Sequence, residues 1–150
     1  MNGAYWHLLF DCFPPIFGIA ALIVLLCGVM WRSDAVKRAA FVLVVCAALT
    51  VVATFKSGGA AAGVVKTMDG INKAAIQPHN EAADATLVIV LFSAVAAVFV
   101  LIRYRGARPI AGWAIYVVAF LTILATFSSI YTSLLGGRIH HPETQMRAPR

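Results

Sequence analysis

Four stretches of this chain, 14–31, 39–55, 85–102 and 110–135, contain no Lys, Arg, Asp or Glu. That single feature limits the fold more than any other. Each stretch approaches or exceeds the ~20 residues that carry a helix across a hydrocarbon core of about 30 Å. The apolar residues run on without the 3.6-residue alternation of a surface helix, which is the pattern of segments apolar on every side. Lipid offers backbone groups no water, so only helices and closed barrels span it, and the alternating strands of a barrel are absent. With 61% hydrophobic residues against 12% charged, the 150-residue chain lacks the polar surface of a water-soluble domain. The expectation is an all-α integral membrane protein. It reads as one transmembrane domain over 1–150, a four-helix up-down-up-down bundle with helices near 14–32, 37–57, 78–104 and 109–135. A longer outer loop joins the second and third helices.

Residues 1–13 carry no Lys or Arg, and the block behind them is longer than a signal core, which argues against a removable signal peptide. Four crossings put both termini and the 57–84 connection on one side. The two short turns on the other side hold Arg32, Lys37, Arg38, Arg103, Arg105 and Arg108, with Asp34 as their only acid. The positive-inside rule makes that side cytoplasmic and the termini periplasmic. Lys56, Lys66, Lys73, Arg138, Arg147 and Arg150 lie opposite, interleaved with acids. The net charge of +6 follows from this topology, with no soluble basic domain to bind nucleic acid.

Small residues before and after position 57, including a Gly59/Gly63 GxxxG pair, suggest close helix packing. Thr122, Thr126, Ser129 and Ser133 recur at spacings of four, three and four, so they share one helix face that should look inward. Gly136 and Gly137 are expected to end or bend that helix before His140. Residues 64–76 read as a short interfacial helix weakened by Gly70. Pro78 and Pro109 suit first turns of helices. Apart from alanine richness, no internal repeat is evident.

The histidines carry the most information. His7 precedes the first span, His79 opens the third, and His140 and His141 follow the fourth, so topology alone gathers all four at one face. Imidazole is the commonest transition-metal ligand and a usual axial ligand of haem iron. In a helical turn, Asp11 would lie four residues from His7 and could orient its ring. Cys12 is a further candidate metal ligand, and Arg138 or Lys73 could pair with haem propionates. Cys27 and Cys46 fall inside spans, where they act as small apolar groups. No GxSxG, HExxH, CxxC or Walker loop is present, and no intramembrane carboxylate pair, so no catalytic residue is assigned.

The segment His7-Leu8-Leu9-Phe10-Asp11-Cys12-Phe13-Pro14, the run Ser57-Gly58-Gly59-Ala60 with His79, and the ending Gly136-Gly137-Arg138-Ile139-His140-His141 resemble a known family. Its members are small bacterial four-helix membrane proteins catalogued as a domain of unknown function, some joined to Rieske iron–sulfur domains. The family opens with a His, four residues and His-Phe-Pro; here its second histidine is Cys12. The resemblance implies a bacterial inner membrane and a redox setting.

Three readings follow. The first is an electron-transfer subunit that ligates b-type haem through His79 with His7 or His140, with Trp6, Phe10 and Phe13 shielding the porphyrin edge. The second is a module that holds copper, iron or zinc without haem, through His7, Cys12, His79, His140 and His141. The third is an accessory subunit of a larger membrane complex or homo-oligomer. A redox partner protein or quinone belongs to the first reading, and in all three the lipid bilayer is the surroundings.

Overall fold

The computed structural model of the chain describes residues 3–65, 67 and 70–140. They form α1 (Gly3–Asp11), α2 (Phe13–Met30), α3 (Asp34–Val65), α4 (Ile76–Arg103) and α5 (Gly112–His140), with one 3₁₀ turn at Lys73–Ala75. Four segments are long and apolar enough to cross a membrane: Tyr5–Met30, Asp34–Val65, Lys73–Arg103 and Gly112–Ile139. The first of these joins α1 to α2 across a break at Cys12. The break has a local cause. Pro14 and Pro15 lack the N–H groups that would continue the ladder, and the ring of Pro14 would collide with the carbonyl four residues back.

The protein is an all-α membrane bundle of up-down-up-down order. α2 and α4 each pack against both α3 and α5, and α1 lies on α3. The interior is built from small or β-branched side chains such as Ala21, Ala40, Val44, Ala97, Ala114 and Val118, while Ile16, Ile23, Leu49, Phe92, Phe99, Phe120 and Phe127 are exposed. Water would not tolerate such a surface. In lipid, where no hydrophobic force drives helices together, small residues at the contacts let backbones approach and large ones meet the acyl chains.

The closest approaches fall at glycines that the GxxxG spacing did not mark. A Cβ at Gly18 would meet the Thr126 hydroxyl, and one at Gly28 would come within 2.8 Å of the Lys37 backbone nitrogen. Gly59 and Gly63 have nothing within 4 Å, so their spacing marks no contact within the bundle.

Two helices are longer than expected. α3 runs on to Val65 and α5 passes through Gly136 and Gly137 to His140, whereas the interfacial helix expected over 64–76 is reduced, among the described residues, to the 3₁₀ turn. Val65, Ala75 and Ile139 bury one another with Ile71 and Ile76, and the Asn72 N–H donates to the Ile139 carbonyl at 3.1 Å. Those contacts offset the roughly 1 kcal/mol that each helical glycine costs.

At the opposite end the hairpins are stapled by charge. Asp34 accepts from the Lys37 ammonium at 2.8 Å and from the Ile110 N–H at 3.1 Å. The Arg38 guanidinium donates to the Tyr104 and Arg108 carbonyls at 2.8 and 3.0 Å. Cations at the carbonyl end of α4 also suit its dipole.

Candidate functional site

His7 sits on α1 and His79 on the first turn of α4, two helices that share little other contact. Their rings meet across the mouth of the bundle, with centroids 6.3 Å apart and planes at 86°. Because α1 continues α2, and α2 is the diagonal neighbour of α4, the pair bridges the two halves of the protein.

Each ring is held by the second helix of its own half. His7 Nδ1 donates to the Thr54 carbonyl of α3 at 2.9 Å, with the Ser57 hydroxyl 3.4 Å away. His79 Nδ1 donates to the Thr132 carbonyl of α5 at 3.0 Å. A carbonyl only accepts, so Nδ1 carries the proton in both rings and Nε2 keeps its lone pair in the neutral imidazole. That tautomer, fixed by the partner of Nδ1, leaves Nε2 as the nitrogen able to bind a metal ion. The orienting group at His7 is therefore the Thr54 carbonyl and not the Asp11 carboxylate expected from the spacing. The Asp11 backbone carbonyl instead lies 3.5 Å from the Ser133 hydroxyl.

Hydroxyls continue from the pair into the bundle. Thr86, two helical turns along α4 from His79, bonds both Ser128 and Thr132 of α5. Deeper in, Ser93 meets Thr122 at 3.3 Å. Thr122, Thr126 and Ser129 are buried, as the ridge in the fourth span predicts, and each donates to the carbonyl four residues back. The cavity among Gly18, Ser93, Thr122 and Thr126 measures about 10 Å³, no more than the space of one water.

Of the remaining predicted residues, those that are described make no hydrogen bond or ring contact with the pair. Cys12 is exposed, its Sγ 3.6 Å from the Leu9 carbonyl. Lys73 and Arg138 are exposed at the same end. Trp6 stacks on Phe10 at 5.8 Å, and Phe10, Phe13 and Phe17 continue an aromatic row along α1 and α2. His140 ends α5, but its side chain, like the whole of His141, lies outside what is described. Among the described residues no three of His, Cys, Asp or Glu converge as a metal site.

The sequence reading missed Thr54, Thr132 and the two glycines beside the rings. A Cβ at Gly58 would stand 3.4 Å from His7 Cε1, and one at Gly136 would stand 3.2 Å from His79 Cε1. Comparison with family models, with curated proteins and with solved structures finds no match to this chain. The geometry alone therefore carries the functional reading.

Proposed function

We propose that this protein is a membrane electron-transfer subunit that binds b-type haem through His7 and His79, at the periplasmic face of a bacterial inner membrane. The observation that carries the proposal is the pair itself, two imidazoles from different halves of the bundle, each with Nδ1 tied to a carbonyl and Nε2 left as the donor. Two imidazoles agree in number with what a six-coordinate haem iron would take from the protein. A haem could be held by one or two protein ligands, while bare zinc or copper sites usually take three or four. The two rings lie with centroids 6.3 Å apart at the mouth of the bundle, and His7 and His79 would hold the group there.

When bound, the haem supplies one-electron transfer. The chain's own residues fix the rest. Thr54 and Thr132 hold the imidazoles in their ligating tautomer, and the carbonyl bond to Nδ1–H makes each Nε2 a better donor. Arg138 and Lys73, exposed at the same end, are cations able to pair with carboxylates there. The termini lie outside by the positive-inside rule, since Arg32, Arg38, Arg103, Arg105 and Arg108 crowd the other end. A protein or quinone would be the redox partner.

The test is haem titration of the detergent-purified protein, followed by an oxidised-minus-reduced absorption spectrum. The expected result is one haem per chain with the sharp, reduction-shifted Soret band of a six-coordinate low-spin iron. His7→Ala and His79→Ala should each leave a five-coordinate spectrum. A protein that stays colourless, or is indifferent to both substitutions, overturns the proposal.

A further inference from the structure

The two rings are seated by the same local device. Thr54-Phe55-Lys56-Ser57-Gly58-Gly59 and Thr132-Ser133-Leu134-Leu135-Gly136-Gly137 both read T-x-x-x-G-G. In each, the Thr carbonyl takes the histidine Nδ1–H, and the first glycine, four residues on, lies against the same ring. The spacing has a geometric cause. A helical side chain leans towards the N-terminus, so the residue at i+4 covers the turn that holds the carbonyl of residue i. A glycine at i+4 uncovers that carbonyl. Its second lone pair can then accept an imidazole N–H beside the ordinary ladder bond from the i+4 amide.

We infer that T-x-x-x-G-G is a duplicated imidazole clasp, with Gly58 and Gly136 as positioning residues for His7 and His79. The two halves, α1–α3 and α4–α5, each carry one clasp and contribute one ligand to a shared site. The two halves do not align as an internal repeat because the histidine stands 47 residues before its threonine in one half and 53 in the other. The clasp predicts which glycines matter. A Cβ added at Gly58 or Gly136 would meet a ring, whereas one added at Gly59 or Gly137 would meet nothing within 4 Å. The neighbours are matched controls, since Gly→Ala changes helix propensity alike at all four positions.

The ligating role rests on the haem proposal above, but the clasp itself is testable without haem. In the haem-free protein, nitrogen NMR of labelled histidine should show the Nδ1–H tautomer at His7 and His79. Gly136→Ala, whose methyl would press on His79 at 3.2 Å, should lose it at His79 and keep it at His7; Gly137→Ala should change neither. Gly58→Val, which adds an isopropyl group beside His7, should do the converse and serves if Gly136→Ala does not fold.

With haem added, Gly136→Ala should bind it about ten- to a hundredfold more weakly than Gly137→Ala. It should also alter the low-spin EPR signal, which reports the angle between the ligand planes. Nε2–H tautomers in the parent protein, or identical behaviour of Gly136→Ala and Gly137→Ala in the tautomer measurement, would overturn the clasp. Correct tautomers in a protein that takes up no haem would uphold the clasp and refute the haem reading.

Discussion

Thr86 shows how a single hydroxyl matters inside lipid. It is buried and bonded to Ser128 and to Thr132, the residue whose carbonyl holds His79. Thr86→Val keeps the shape and removes both bonds. It is expected to destabilise the bundle by about 0.6 to 2 kcal/mol, the range for interhelical polar contacts in membranes, measurable as a lowered unfolding midpoint in micelles. The inward ridge of Thr122, Thr126 and Ser129 was legible in the sequence because helical periodicity fixes which residues share a face. Thr86, Ser93 and Thr132 were not, since a hydroxyl partner on another helix depends on rotation and register, which no single segment encodes. The same limit applies to the site. Topology gathered the histidines at one end, but only packing could show that carbonyls, and not Asp11, orient the rings.

Among the elements, α2 and α5 approach closely where Gly18 leaves no room between its backbone and the Thr126 side chain. Gly18→Ala should cost about 1 to 3 kcal/mol by overpacking. Adding Thr126→Ala, which removes the obstructing atoms, should recover most of that loss. A double-mutant cycle of unfolding free energies checks it, and strict additivity would mean the two residues do not meet. The spans themselves were legible as unbroken apolar runs. Their ends were not. Gly136 and Gly137 look like terminators, yet α5 passes through them, as α3 does through Gly58 and Gly59. The outer cluster of Val65, Ala75 and Ile139 continues both helices. Tertiary burial overrides local propensity here, and two of those glycines serve the rings instead.

For the molecule as a whole, everything depends on the two halves meeting through His7 and His79 at one membrane face. At the other end, Asp34 and Arg38 bind one half to the other by charge-assisted bonds to Ile110, Tyr104 and Arg108. The most direct test of the meeting itself uses cysteines at positions 7 and 79, with Cys12, Cys27 and Cys46 replaced by alanine and a protease site inserted after residue 67. In intact membrane vesicles, an impermeant maleimide should reach both positions from the same side. A short bismaleimide should then hold the two halves together after the chain is cut. Labelling of residues 7 and 79 from opposite sides, or halves that separate despite the cross-linker, would contradict the account.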